Sequence, residues 1–134
     1  FEATLTSDNL IKIVNQDRLR QGLQPLKTNP KLNDAALAKA RHILENGYFA
    51  HTSPTGIKPW DFIKSQGIKY QFAGENLALN YTSAYDLEND FLKSPSHREN
   101  LLSSLFSEMG VGIVQGLYRG QRAIVTVELF SSPL

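Results

Sequence analysis

The sequence predicts an α+β fold: helices occupy most of the first hundred positions and strands close the chain. Three observations carry that expectation. Helix-start residues precede apolar residues at three- and four-residue spacing in several segments. After Phe106, glycines and β-branched residues replace the helical pattern. The strand–helix–strand alternation that builds a parallel sheet is missing, so layered helices and antiparallel strands are expected. A length of 134 residues suits one domain, taken as residues 1–134.

The elements follow in order. Thr6 or Ser7 can cap a helix over residues 7–21, with Asp8 in its first turn and Gly22 after its end. Its stripe is Leu10, Ile13 and Val14, and it weakens near Asp17 and Arg18. Asn29-Pro30 is a second start signal. Leu32, Ala36, Ala40 and Ile43 then recur at helical spacing, widened by Leu37 and Leu44, and the alanines permit close approach of another element. Gly47 ends that helix, and residues 48–56 read as a loop. Pro59 opens a short helix through Trp60 and Ile63, stopped by Gly67. Residues 70–81 read as a strand with Tyr70, Phe72 and Ala78 on one face and Ala73, Glu75, Leu77 and Leu79 on the other. Both faces are largely apolar, which predicts cover on both sides. Ser83 with Asp86 resembles a capping box, and its helix runs to Ser94, just ahead of Pro95. Residues 110–114 and 123–130 read as two strands joined by a hairpin loop over 116–121.

Bulk composition narrows the function classes. Fourteen basic and thirteen acidic residues give a net charge of +1, and they are scattered, so neither nucleic acid nor an anionic membrane is an expected partner. The absence of cysteine excludes disulfides, thiolate metal sites and a cysteine nucleophile. No run approaches the ~20 apolar residues of a membrane span. Phe1 is not an initiator methionine, which implies a start trimmed by design or processing, with a signal or anchor lost ahead of it.

Four polar residues stand out, and each has two readings. His42 shares a helix face with Lys39, Glu45 and Asn46, away from the apolar stripe, and solvent exposure is expected. His51 lies in Tyr48-Phe49-Ala50-His51-Thr52-Ser53-Pro54, where flanking aromatics either present its imidazole at a cleft or leave it a surface loop residue. In Ser94-Pro95-Ser96-His97-Arg98-Glu99-Asn100, Ser94 is a good helix cap and Pro95 a good first residue. His97 then falls on the first turn, three residues from Ser94, where the positive helix end favours a neutral ring fit for metal binding or general-base work. The plain alternative is a helix start that happens to contain a histidine. Glu75 alternates with apolar neighbours on a covered face, so it needs a partner or a proton. That partner is either an arginine, Arg18 or Arg98, or the two histidines.

Taken together, these pieces resemble one family. Asn15-Gln16-Asp17-Arg18 with Gly22-Leu23-Gln24-Pro25-Leu26, Phe49-Ala50-His51-Thr52-Ser53-Pro54, Gly74-Glu75-Asn76-Leu77, Ser94 to Leu102 and Gly110-Val111-Gly112 occur in the order found in the CAP superfamily (cysteine-rich secretory, antigen-five and pathogenesis-related proteins, the SCP-like domain). The chain is similar to its bacterial, cysteine-free branch. The resemblance implies an α-β-α sandwich with a small, mostly antiparallel sheet between helical layers. It implies that His51, Glu75 and His97 converge in a central cleft able to hold zinc or another divalent cation, with Glu75 as ligand or as partner of a ligand, and with Arg98 and Asn76 in support. The second family acid falls near Ser94, where this chain has a hydroxyl; Glu88 and Asp90 lie nearby but point elsewhere. The resemblance further implies a secreted or cell-surface location.

Three functions compete at this level. The leading one is a monomeric envelope or extracellular domain that binds an apolar small ligand or envelope component without turnover. The second is a protease or a cell-wall or ester hydrolase, with His51, Glu75, Ser94 and His97 as catalytic candidates: Ser94 attacks, His97 takes its proton and Glu75 orients the ring, or a metal-bound water attacks. The third is a lipid or protein-interaction module in which Tyr48, Phe49, Trp60, Phe62, Tyr70 and Phe72 line a groove.

Overall fold

Proline and short polar side chains set most helix starts. Residues 3–134 are described by a computed structural model; the trimmed start expected at Phe1 lies outside them. Thr6 accepts from the Asn9 amide and begins α1, Ser7–Arg20. Asn29 accepts from the Lys31 amide and begins α2, Pro30–Asn46, which ends at Gly47 in a left-handed conformation with φ 62°. Further along come α3, Pro59–Ser65, α4, Ala84–Lys93, capped by Ser83, and α5, Pro95–Leu101.

The strands are β1, Lys27–Thr28, β2, Tyr70–Leu79, β3, Glu108–Tyr118, and β4, Gln121–Pro133. They form one sheet in the order β1-β3-β4-β2. Among the described residues, the β1–β3 pair is parallel, and β3–β4 and β2–β4 are antiparallel. Side chains alternate across β4 and divide the core in two. Phe130 joins Leu10, Val14, Leu87, Phe91 and Leu101 under α1, α4 and α5. Val125, Val127 and Leu129 join Leu32, Ala36, Ile43 and Ile63 under α2 and α3. Each of the valine, leucine, isoleucine and phenylalanine side chains, once buried, contributes about 1.5–3 kcal/mol relative to exposure. The fold is therefore an α-β-α sandwich, as expected.

The alanines of α2 have their counterpart in β3. A Cβ on Gly110 would stand 2.3 Å from the Leu32 carbonyl carbon, and one on Gly112 2.3 Å from the Leu37 amide. The helix backbone therefore lies directly against the strand.

Several expectations need correction. The hairpin loop is much shorter than residues 116–121: Tyr118 pairs with Gln121, and Arg119 and Gly120 make the turn with φ of 51° and 82°. Two left-handed residues match the twist of a two-residue hairpin. Tyr70 packs with Ala73 and Leu79 rather than sharing a face with Phe72, because the β2–β4 register shifts between Tyr70 and Phe72. The near end of β2 is less covered than expected, with Phe72 41% exposed. Arg18 sits in the core, not at a fading edge of α1. Its guanidinium donates to the carbonyls of Gln24, Leu101, Ser103 and Phe106 at 2.8–3.5 Å, joining α1 to the end of α5.

Candidate functional site

Among the described residues, β2 is an edge strand of the sheet, paired with β4 alone. Glu75 and Asn76 are adjacent on this strand, and their side chains leave by opposite faces. Glu75 turns toward the α2 layer and Asn76 toward α5. The site is assembled around this edge.

His51 comes from the loop between α2 and α3. Its Nδ1 lies 2.7 Å from Glu75 Oε1, the histidine side chain open to solvent and the glutamate side chain buried at 1% exposure. An ionised carboxylate only accepts, so the ring donates through Nδ1–H and Nε2 is left bare. Burial raises the Glu75 pKa; the His51 hydrogen bond and the nearby Lys39 charge oppose that rise. The same hydrogen bond raises the His51 pKa, against partial burial. Glu75 Oε2 is buried and has no hydrogen-bond partner.

His97 comes from the first turn of α5. Its ring stacks on Phe91 of α4, centroids 4.3 Å apart and planes within 9°. Nδ1 lies 2.8 Å from Ser94 Oγ. Ser94 is the residue before α5, as expected, but its hydroxyl makes no capping bond to the backbone and meets the ring instead, either group being able to donate. Burial lowers the His97 pKa, and His51 is near enough that its charge lowers it further.

Backbone and amide bonds hold this arrangement. Asn76 Nδ2 donates to His97 O at 3.2 Å and to Glu128 Oε1 at 3.1 Å. Asn100 Nδ2 donates to Asn76 Oδ1 at 2.9 Å and to Glu75 O at 3.1 Å, supplying a donor to the free strand edge. Gly74 makes room, since a Cβ there would come 2.8 Å from Asn100 Oδ1. Asn76 thus occupies a supporting place, and Asn100 does so without having been singled out in the sequence.

Other candidates fall elsewhere. Arg98 is exposed and reaches only Leu92 O at 3.4 Å, and Arg18 is committed to carbonyls, so neither pairs with Glu75. Glu75 is bonded to His51, not His97, which leaves a Ser94–His97 pair without its orienting acid. Among the described residues, no group of three or more His, Cys, Asp or Glu side chains is arranged to hold a metal ion. His42 is half-buried rather than solvent-exposed, its Nδ1 2.7 Å from Tyr48 Oη and its ring edge-on to Phe62. Lys39 on the same face is fully buried. Tyr48 is buried, Trp60, Phe62 and Tyr70 are partly so, and Phe49 and Phe72 remain exposed.

A second polar cluster lies inside the α1/α4 layer. Glu88 of α4 and Glu128 of β4 are 1% and 0% exposed. Written as carboxylates, both Glu88 oxygens and Glu128 Oε2 lack any donor. Burial pushes Glu88 up to about 10, with Glu128 and Asp17 adding repulsion. Burial pushes Glu128 up to about 8, against the Asn76 hydrogen bond. Both shifts favour the protonated acids over the carboxylates, and a protonated acid carries a donor that a carboxylate lacks. Helical phase pointed Glu88 away from the cleft, but nothing local in the sequence showed that Glu128 would meet it.

A small sheet between two helical layers, with one histidine brought to its edge strand from each layer, defines a recognisable class of domain. The chain belongs to the cysteine-rich secretory protein (CAP) family, matched over residues 11–129. It is similar to the uncharacterized protein YkwD of Bacillus subtilis, 37% identical over 106 residues, which is 79% of this chain and 41% of that protein. It also resembles an extracellular protein containing an SCP domain from Bacillus anthracis, with 27% identity, TM-score 0.81, and coverage of 94% of this chain and 40% of that one. An outer surface protein from Borrelia burgdorferi shares the fold at TM-score 0.81 and 22% identity, with 100% of both chains covered. The chain spans about two fifths of the first curated relative's length. Among the described residues, no helix is long and apolar enough to cross a membrane.

Proposed function

We propose that this domain acts by binding, outside the cell or at its surface, and that the edge of β2 between His51 and His97 holds a divalent cation such as zinc. One observation carries the reading: buried Glu75 holds the Nδ1 of His51, so the neutral ring presents an unprotonated Nε2, and His97, its Nδ1 against Ser94 Oγ, stands in the first turn of α5 beside the same strand. A carboxylate behind a ring nitrogen fixes tautomer and orientation and strengthens the opposite nitrogen as a ligand. The donor set therefore fits a cation through two imidazoles, with Glu75 as the partner of one. When bound, such an ion supplies open positions that accept an oxygen or nitrogen donor from a ligand. The family match and the similarity to an extracellular and an outer surface protein support the location.

Calorimetric titration with zinc tests the reading. Wild type is expected to give a saturable one-site heat, and the His51→Ala/His97→Ala double variant none. Equal heats from both would end the metal reading. A hydrolytic reading has one observation in its favour, the 2.8 Å approach of Ser94 Oγ to His97 with no capping duty on the hydroxyl. Turnover of peptide, ester or cell-wall substrates, abolished by Ser94→Ala, would put that reading first.

A further inference from the structure

Lys39 is fully buried in the middle of α2. Lysines ordinarily bury their stem and keep the ammonium in water. Withdrawing that charge from water is costly unless something compensates it. Here the ammonium donates to the backbone carbonyl of His51, with Nζ 2.5 Å from the oxygen. The rings of Tyr48 and Phe62 cover it, their centroids 4.9 and 5.7 Å from Nζ. Tyr48 is itself fixed by the His42 bond at 2.7 Å. The opposite charge that acts on Lys39 is Glu75.

These contacts share one destination. The lysine holds the main chain of the residue whose ring rests on Glu75, and its charge faces the same glutamate. Beyond His51 the loop closes on itself, through Ser53 N to Ile57 O at 2.8 Å and Ile57 N to Ser53 Oγ at 3.0 Å. Neither bond ties His51 to a helix; the Lys39 bond does. An apolar side chain such as methionine could fill the same aromatic box without the cost of burying a charge.

We propose that Lys39 is a positioning residue of the cleft: caged by Tyr48 and Phe62, it tethers the His51 carbonyl to α2 and so keeps the His51 ring docked on Glu75. The part of the test that uses zinc rests on the metal reading above; the part that uses the metal-free protein does not.

Lys39→Met retains stem length and loses the donor, while Lys39→Arg retains charge and donor. In metal-free wild type, nitrogen-15 NMR is expected to show the neutral His51 ring held as the Nδ1–H form. In Lys39→Met the ring leaves Glu75, and its two nitrogen shifts move toward the averaged values of a free imidazole. Lys39→Arg recovers at least part of the wild-type pattern. Where wild type binds zinc, Lys39→Met is expected to weaken it about 10-fold or more, the usual scale for losing a group that orients a ligand. A wild-type His51 pattern in Lys39→Met overturns the proposal, whatever zinc does. Absence of zinc binding in wild type ends the metal reading and leaves the nitrogen-shift comparison decisive. Should the methionine variant not fold, Lys39→Leu removes the same donor from the same place, and an unmoved His51 pattern there overturns it equally.

Discussion

Glu88→Gln is expected to stabilise this domain at neutral and mildly alkaline pH, and to make its stability less dependent on pH. Glu88 and Glu128 have folded pKa values raised to about 10 and about 8 from 4.5, so the folded state keeps protons that the unfolded chain releases. Stability is then greatest near or below the unfolded value and falls as pH rises toward the folded ones. Each acid that stays protonated steepens the loss by up to about 1.4 kcal/mol per pH unit. From pH 5.5 to 7.5 one such acid removes up to about 3 kcal/mol, a large part of the 5–15 kcal/mol typical of a domain. Glutamine has no proton to release, and its amide supplies a donor where the Glu88 oxygens and Glu128 Oε2 lack one. Glu75 has a raised pKa and slopes the same way. His51 does too, while His97 slopes oppositely; both are common to variant and wild type, and the difference isolates Glu88. Urea unfolding followed by circular dichroism at pH 5.5, 6.5 and 7.5 measures this directly, with an unchanged m-value as control. A wild type whose stability is flat or rising over that range, or a glutamine variant with the wild-type slope, would show that folding does not hold a proton on Glu88.

Two further outcomes follow from the same structure. In a proton NMR titration of the metal-free protein, His51 is expected to titrate above the ordinary 6.5 and His97 below it, with Glu75→Gln bringing His51 down; His97 titrating above His51 would contradict the geometry at the strand edge. Gly112→Ala sets a methyl 2.3 Å from the Leu37 amide and 2.4 Å from the Ala36 carbonyl carbon, both backbone atoms. A loss of about 3 kcal/mol or more by thermal or urea unfolding is expected, and a loss below about 1 kcal/mol would show that α2 does not rest on β3 as described.

Local chemistry made much of the fold legible. Thr6, Asn29-Pro30, Ser83 and Ser94-Pro95 stand at helix starts because capping and proline geometry act within a few residues. What depends on distant partners was not readable. The two residues of β1 become a strand only by pairing with Glu108 and Met109. Lys39 and His42 lie off the apolar stripe by phase, yet Tyr48 and Phe62 fold over that flank and enclose them. The residues of the site were nameable through family resemblance, but their pairing was not. Glu75 stands 24 positions from His51 and 22 from His97, and only the arrangement of layers decides which ring it meets.

The seating of α2 on the bare backbone of Gly110 and Gly112 makes the two sides of the β2 edge mechanically unequal. One histidine follows a helix whose height above β3 is set, at Gly110 and Gly112, by main chain against main chain. The other rides on a slab cushioned by leucines and phenylalanines, which yield to substitution by repacking. Variation among relatives that resizes this cleft should therefore gather beneath α4 and α5, re-aiming His97 while His51 keeps its station.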